Sequence, residues 1–234
     1  MLIGLLASLF LNYRLIQRGV YDYAEQQAVR LDPYTLNYFD GEANKTYAHP
    51  LVVFYGDSRA AQWVAPAVPG LSFANRGIGN QTTAQVLGRF DAHLRPIKPD
   101  IVVLQVGIND LKSIPVLPNQ KAQIIARCKA NIAELVQRSR ALGAKVILTT
   151  VFPPAQVPLE RRLVWSAEAN AAISEVNDYI HSLAGEGVLI YDTHKLLANA
   201  QGLTRPEFSQ DFLHINAAAY EALNVDLIAF LSAR

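Results

Sequence analysis

The sequence predicts an α/β protein built on a five-stranded parallel sheet. From residue 51 onward, short apolar runs alternate with longer segments of helical period, a pattern typical of successive βαβ units. The runs at 101–106 and 145–151 are almost continuously apolar and rich in β-branched residues, as expected of strands that helices cover on both faces. The 234 residues are enough for one well-buried domain with an appendage.

The order of the predicted elements follows from these periods. The strands are expected at 51–55, 71–74, 101–106, 145–151 and 187–191. Helical spacing predicts helices over 119–142, 167–184 and about 216–232. The proline-containing segments 111–118 and 152–166 follow strands, so we expect them as loops at the carboxyl edge of the sheet, where open α/β folds place their sites.

Residues 1–49 are predicted to be an appendage to a domain formed by residues 50–234, because residues 12–49 show no sustained period before the first clear strand. The first eleven residues, MLIGLLASLFL, are uncharged and mostly apolar. They are fewer than the roughly 20 that a spanning helix requires. Two interpretations stay open: a shortened membrane anchor through residues 1–16, or an arm docked on its own domain. The compartment, extracytoplasmic or cytoplasmic, stays open with them.

Composition excludes several classes of function. The 21 basic and 20 acidic residues nearly balance, so no nucleic-acid partner is expected. The single cysteine, Cys128, lies on the apolar face of a predicted helix and is expected to be a packed thiol. No metal or cofactor is expected, because the histidines lack ligand spacing and neither a dinucleotide-binding glycine motif nor a Walker lysine occurs.

Polar residues collect where the predicted strands end. Gly56-Asp57-Ser58 follows the first strand, Asn75-Arg76-Gly77-Ile78-Gly79-Asn80 the second and Gly107-Ile108-Asn109-Asp110 the third, while Asp211-Phe212-Leu213-His214 precedes the last helix. Nucleophilic acyl transfer needs a hydroxyl, a base, a carboxylate that orients the base, and donors for the oxyanion. This edge of the sheet supplies each of these groups.

Each candidate also has a simpler explanation when it is taken alone. Ser58 fits an ordinary helix cap, and Asn109 fits an Asx turn. Asp211 also fits a helix cap beside a surface histidine, His214, although the neighbouring Asn216 fits that cap equally well. Four such signals at the matching ends of different elements favour a common site over four separate structural roles.

The motifs FYGDSR, NRGIGNQTT, VGINDL and DFLHINAAAY resemble, in order and spacing, the conserved blocks of the SGNH hydrolases, the GDSL esterase/lipase family, over roughly residues 51–232. The resemblance implies a flavodoxin-like three-layer α/β/α fold and a serine esterase without cofactor. It implies that Ser58 is the nucleophile, His214 the general base and then acid, and Asp211 its partner. It also implies an oxyanion hole made by the Ser58 N–H, a second-block N–H and the Asn109 side chain.

Two positions depart from the family pattern. Arg59 stands where the family usually has leucine after Gly-Asp-Ser, and Asn80 stands where it has its oxyanion glycine, followed by Gln81 where an aspartate is common. The donor is a backbone N–H and asparagine tolerates positive φ, so we expect Asn80 to complete the hole. Its amide is expected to narrow the pocket or to bond substrate.

The remaining candidates are expected to support the site or to contact substrate. Asp57 is expected to brace the first loop, Gly79 to belong to the second, and Gly107 to admit close approach of substrate. Arg59 and Arg76 have two open interpretations, recognition of a carboxylate, phosphate or sugar hydroxyl, or solvation, and Trp63 is expected to pack in the core.

The substrate is expected to be a short-chain acyl ester, an acetylated sugar or a lipid ester. Apolar residues of the two loops suggest lining for a small acyl or alkyl chain: Ile114, Val116, Leu117, Val157, Leu159 and Leu163. Two alternatives stay open, a non-catalytic binding module on the same fold and a flavodoxin-like nucleotide or flavin binder. Nothing in the sequence indicates the oligomeric state.

Overall fold

The computed structural model describes residues 2–42 and 44–232 and divides into two compact units, one ending at Gly41 and one beginning at Glu42. The first unit contains helix α1, Leu2–Leu31, in which no residue is buried. Within the described ranges, no helix combines the length and the apolar content needed to cross a bilayer. The division precedes the boundary predicted at residue 49, because Glu42 and Tyr47 hydrogen-bond to Arg76 inside the second unit.

The five predicted strands are confirmed and form one parallel sheet. They are β1 (Leu51–Gly56), β2 (Ser72–Gly77), β3 (Ile101–Gln105), β4 (Lys145–Thr149) and β5 (Val188–Tyr191). Their spatial order is β2-β1-β3-β4-β5, the flavodoxin-like order. β2 is longer than predicted, since its pairing with β1 continues to Gly56 opposite Gly77.

Helices connect these strands, and the three long predicted ones are confirmed. The second unit contains α2 (Ser58–Ala61), α3 (Thr83–Gly88), α4 (Phe90–His93), α5 (Ile108–Leu111), α6 (Lys121–Ala141), α7 (Ala167–Ser182), α8 (Thr193–Leu197) and α9 (Ala217–Ser232). One-turn 3₁₀ helices lie at Arg95–Ile97, Ile114–Val116, Pro118–Gln120, Leu159–Arg161 and Pro206–Phe208. The sequence prediction missed α3, although Thr82 and Gln85 form its capping box.

The helices cover both faces of the sheet, which makes three layers. Val53 and Tyr55 of β1 face a core completed by α3, α6 and α7, whereas Val52 and Phe54 face a second core completed by α8 and α9. Successive strand residues point to opposite faces, so a strand between two helical layers must be apolar at every position. The predicted α/β/α architecture is therefore confirmed, and the site edge lies where β1, β2 and β3 end.

Close packing of β2 against α2 gives a test of the fold. A Cβ on Gly77 would lie 2.2 Å from the backbone nitrogen of Ala61, whereas a Cβ on Gly185 would meet nothing within 4 Å. We expect Gly77→Ala to lower the free energy of unfolding by about 1–3 kcal/mol or more, because the backbone of α2 has to shift. Gly185→Ala is the matched control, and urea unfolding monitored by circular dichroism measures both. Equal stability of the two variants would contradict this packing argument.

Candidate active site

The turn after β1 holds Ser58 at the edge of the sheet. A Cβ on Gly56 would lie 1.7 Å from the carbonyl oxygen of Gln105, so only glycine fits this turn. Asp57 then caps α2, because its Oδ1 accepts the N–H of Arg59 at 2.9 Å. This bond ties Asp57 to the first turn of α2, at the end of the loop that it was expected to brace. Ser58 is the first helical residue and remains half-buried.

Ser58, His214 and Asp211 form one chain of hydrogen bonds. Ser58 Oγ lies 3.0 Å from His214 Nε2, and His214 Nδ1 lies 2.8 Å from Asp211 Oδ2. A carboxylate on Nδ1 favours the tautomer that donates from Nδ1, which leaves Nε2 to accept from the serine hydroxyl. Residues 156 positions apart in sequence are thereby brought into contact.

The carboxylate of Asp211 is itself fixed by backbone donors. Its Oδ1 accepts the N–H groups of Leu213 at 2.7 Å and His214 at 2.8 Å. Burial raises the pKa of Asp211, but the hydrogen bonds from the His214 side chain and from these two backbone groups outweigh burial, so the pKa is lowered overall. Asp211 is therefore ionised at neutral pH. The cap of α9 is made by Asn216, whose Oδ1 accepts the N–H of Ala219.

The loops after β2 and β3 meet beside Ser58. Asn109 is buried, and its Nδ2 donates to the carbonyl of Gln81 at 2.9 Å. Asn80 adopts a φ of +66°, in the left-handed region that asparagine tolerates better than other non-glycine residues. A Cβ on Gly79 would lie 3.9 Å from the Cβ of Ser58, so this loop passes directly by the serine.

A lysine that the sequence analysis did not single out also reaches this loop. Lys112 Nζ donates to Asn80 Oδ1 at 2.8 Å and fixes the orientation of that amide. Because Oδ1 accepts from the lysine, the Nδ2 group of Asn80, which carries the two N–H donors, faces away from Lys112. Lys112 directly follows the third motif, VGINDL, so its position in the sequence was a signal that could have found it.

Both interpretations of Arg59 and Arg76 were wrong. Arg59 has no exposed surface, and its guanidinium donates to the carbonyls of Phe152 and Leu213. Arg76 is also buried and forms an ion pair with Glu42 at 2.8 Å. Neither side chain is solvated, and neither can reach a substrate. Both are buried because each has protein acceptors within reach.

Two further expectations concern packing. Trp63 is packed in the core as predicted. A Cβ on Gly107 would lie 3.1 Å from Val151 and 3.6 Å from Cys128, both in the core, and the φ of Gly107 is +114°. The glycine is thus required by backbone conformation and core packing, and the expectation that it makes room for substrate is wrong. Cys128 is buried, as expected of a packed thiol.

Arg89 joins the strand ends beneath the site and was missed by sequence reasoning. Its Nη2 donates to the carbonyl of Gly56 and its Nη1 to the carbonyl of Arg76, each at 2.8 Å, and its Nε donates to Gln81 Oε1. The guanidinium also lies 4.5 Å from the ring centroid of Tyr55. The sequence around Arg89 has no feature that distinguishes it from a solvent-exposed arginine, so local sequence does not indicate that Arg89 is buried.

A second buried link joins the loop after β3 to α3. Asp110 accepts the backbone N–H of Thr83 at 2.8 Å and its hydroxyl at 2.6 Å. Burial raises the pKa of Asp110, although the bonds from Thr83 oppose the increase. Two hydrogen-bonded links therefore connect the third motif to the second. Asp110 bonds to Thr83, and Asn109 bonds to Gln81.

A cavity of about 880 Å³ lies beside Asp211. Eight of its thirteen lining residues have polar or charged side chains, but apolar atoms make up the larger part of the lining surface: Ala155, Gln156, Pro158, Glu160, Arg161, Asn199, Gln201, Leu203, Thr204, Pro206, Ser209, Asp211 and Phe212. In the loops, Val116, Leu117, Leu159 and Leu163 are exposed, but Ile114 is buried in the core, so the expectation that it lines a pocket is wrong. Within residues 2–42 and 44–232, no group of His, Cys, Asp or Glu side chains is arranged to hold a metal ion.

Comparison with known proteins agrees with this geometry. The model of the GDSL-like Lipase/Acylhydrolase family matches residues 45–222 of the 234. The chain belongs to the GDSL-like lipase/acylhydrolase family. The matched range of this GDSL-like hydrolase includes all four motifs and the residues around Ser58, Asn109 and His214.

Individual relatives of this GDSL-like hydrolase are more distant. Esterase TesA from Pseudomonas aeruginosa is 35% identical over 81 residues, which are 34% of the chain and 36% of TesA, so the match spans about a third of that esterase. A solved structure from Streptococcus pneumonia, provisionally described as a platelet activating factor, superposes with a TM-score of 0.72 at 21% identity over 92% of this chain and 99% of that one. An acetylxylan esterase from Geobacillus stearothermophilus gives a TM-score of 0.60 at 19% identity over 79% and 95%.

The buried carboxyl group of Asp57 predicts a pH dependence of stability. Burial raises the pKa of Asp57 from 3.8 to about 6, and the neighbouring Arg59 cation only partly opposes this. Between these two values the folded protein keeps a proton that the unfolded chain releases, so stability falls as the pH rises through this window. Each pH unit is worth about 1.4 kcal/mol, so the loss is about 3 kcal/mol.

Measurement of unfolding free energy by urea titration on both sides of this window checks the prediction. We expect the wild type to lose stability relative to Asp57→Asn as the pH rises from about 4 to about 6, since asparagine cannot ionise. Taking the difference between the two proteins cancels the titration of all other groups. A difference that stays constant across the window would show that Asp57 does not hold a proton in the folded protein.

Proposed function

We propose that this GDSL-like acylhydrolase is a serine esterase that hydrolyses carboxylic esters through an acyl-enzyme. Ser58 is the nucleophile, His214 the general base and then acid, and Asp211 the group that orients the imidazole. The observation that carries the proposal is the hydrogen-bond chain from Ser58 Oγ to His214 Nε2 at 3.0 Å and from His214 Nδ1 to Asp211 Oδ2 at 2.8 Å.

The chemistry follows from this chain. Ser58 Oγ attacks the ester carbonyl while Nε2 of His214 takes the hydroxyl proton, and the ionised Asp211 stabilises the imidazolium that forms. The tetrahedral intermediate collapses when the imidazolium donates this proton to the leaving alcohol. Water then attacks the acyl-enzyme, with His214 as base, and the acid product and free Ser58 result.

Three donors are proposed for the oxyanion: the backbone N–H groups of Ser58 and Asn80, and the side chain of Asn109. The Asn109 amide has two N–H groups, and its bond to the carbonyl of Gln81 uses one of them. That bond orients the amide and leaves the other N–H for the oxyanion. The left-handed backbone of Asn80 supports the same role for its N–H, because it reproduces the conformation that glycine adopts easily.

The substrate class proposed is an ester of a short acyl group, with an acetylated sugar as the favoured form. The names of two matched proteins, an esterase and an acetylxylan esterase, support this class. The side-chain amides of Gln156, Asn199 and Gln201, in the cavity that Asp211 also lines, suit a hydroxyl-rich alcohol portion. A lipid ester is the second candidate, because Leu159 and Leu163 expose apolar surface on the neighbouring loop. The proposal assigns the activity to residues 50–234 and treats residues 1–49 as an appendage.

Substitution of the triad tests the activity. We expect Ser58→Ala and His214→Ala to lower kcat/KM for p-nitrophenyl acetate by at least about 10⁴-fold, since each removes a group that acts in the chemical step. The controls are Ser182→Ala and His181→Ala at the end of α7, which should retain the wild-type rate. Assays from acetate to palmitate determine the acyl length. Wild-type rates in both triad variants would refute the serine-esterase mechanism, and a maximum at palmitate would favour the lipid ester.

Removal of the Asn109 amide tests the oxyanion hole separately. We expect Asn109→Ala to reduce kcat by about 10²–10³-fold, because a preorganised donor to the developing negative charge is lost. The exposed Asn119 provides a control, and Asn119→Ala should leave kcat unchanged. Stopped-flow or steady-state assay with p-nitrophenyl acetate gives kcat for each. A near-normal kcat for Asn109→Ala would exclude the amide from this role and leave the triad proposal intact.

A further inference from the structure

The residue directly after the nucleophile is the buried Arg59, which bonds to the loop of the proposed base. Its Nε and Nη2 both donate to the carbonyl oxygen of Leu213, at 3.0 and 2.7 Å, and its Nη1 donates to the carbonyl of Phe152 at 3.0 Å. The guanidinium also lies 5.3 Å from the Phe152 ring centroid. Bonds from a cation are stronger and more directional than neutral ones, so this contact holds the Leu213 carbonyl firmly.

The Leu213 carbonyl belongs to the peptide unit that leads into His214. The N–H of that same unit donates to Asp211 Oδ1 at 2.8 Å. The peptide unit is therefore held at one end by the carboxylate and at the other by the guanidinium of Arg59. The second oxygen of Asp211 holds the imidazole at Nδ1. Rotation of this peptide would swing the His214 ring away from Ser58, and it would break bonds at both ends.

The burial of Arg59 is compensated locally. Burial lowers the pKa of Arg59, and the neighbouring Asp57 opposes that change most strongly. The family's usual leucine at this position would fill space, but it has no donor for the Leu213 carbonyl. In this chain the turn of the proposed nucleophile and the loop of the proposed base are thus connected by a charged side chain.

We propose that Arg59 is a positioning residue for His214: by fixing the Leu213–His214 peptide unit, it keeps the imidazole in line between Ser58 and Asp211. Arg59 has no exposed surface and does not touch substrate, so its effect passes entirely through His214. The proposal rests on the esterase mechanism for its kinetic consequences. Its structural consequence, the orientation of the imidazole, is independent of any substrate.

Two substitutions at Arg59 and one control test the kinetic consequence. We expect Arg59→Leu to lower kcat for p-nitrophenyl acetate by about 10²-fold, the effect of misplacing a catalytic group by about 1 Å, with KM little changed. Arg59→Lys keeps the positive charge and can still donate to one carbonyl, so its kcat should lie between those of Arg59→Leu and the wild type. The control is Tyr220→Phe, because the Tyr220 hydroxyl donates to the backbone carbonyl of Arg59 at 2.9 Å and leaves the guanidinium contacts intact. It should lower the melting temperature and keep kcat.

Proton NMR tests the orientation without a substrate. The low-field signal of the His214 Nδ1–H, identified by its loss in His214→Ala, reports the bond to Asp211. We expect this signal in the wild type and in Tyr220→Phe, and its loss or upfield shift in Arg59→Leu. If the wild type shows the signal but hydrolyses no ester, the esterase proposal fails while this one is still decided by the variants.

Three results would contradict a positioning role of Arg59. A folded Arg59→Leu with wild-type kcat and an unchanged Nδ1–H signal would overturn the positioning role. If Arg59→Leu does not fold, Arg59→Lys decides, because lysine cannot donate two N–H groups in the plane of the Leu213 carbonyl. Wild-type kcat and an unchanged signal in a folded Arg59→Lys would likewise overturn the proposal. A rise in KM at constant kcat would also contradict it, since that pattern indicates lost substrate binding.

Discussion

The close approach of backbone to backbone at the end of β1 sets the position of everything in the site. Gly56 lies so near the Gln105 carbonyl that a Cβ would stand 1.7 Å from the oxygen, and a Cβ on Gly77 would stand 2.2 Å from the backbone nitrogen of Ala61 in α2. These contacts let α2 begin immediately after the strand, with Ser58 as its first residue. A side chain at either glycine would push α2 outward and move the Ser58 hydroxyl away from His214.

Buried charge then fixes the loops around this turn. Arg89 donates to carbonyls at the ends of β1 and β2, and Arg59 donates to carbonyls of the loops that follow β4 and precede α9. Strand ends leave carbonyl groups that the sheet cannot pair, and a buried carbonyl without a donor is costly. A guanidinium carries five donors in one plane, so a single side chain satisfies several such groups. These bonds connect the strand ends and loops that meet at the site edge.

The family match and the geometry of the site answer different questions about this protein. The match over residues 45–222 establishes the family, and the relatives below 25% identity share the fold. The arrangement of Ser58, His214 and Asp211 explains physically why such a fold suits acyl transfer. Two polar residues stand where the sequence departs from the family pattern, Asn80 in the loop that passes Ser58 and Arg59 directly after Ser58. Both are held by specific hydrogen bonds, to Lys112 and to Leu213.

The sequence alone determined the five strands, the three long helices and the set of residues that meet at the site edge. It could do so because apolar periodicity reports burial on one or two faces, and because the ends of parallel strands must lie together. Only the tertiary structure decided the fate of the arginines. Arg59, Arg76 and Arg89 stand in local sequence like solvated residues, yet each is buried. Their partners are carbonyl and carboxylate oxygens contributed by other parts of the chain, and such distant pairings leave no trace in local sequence patterns.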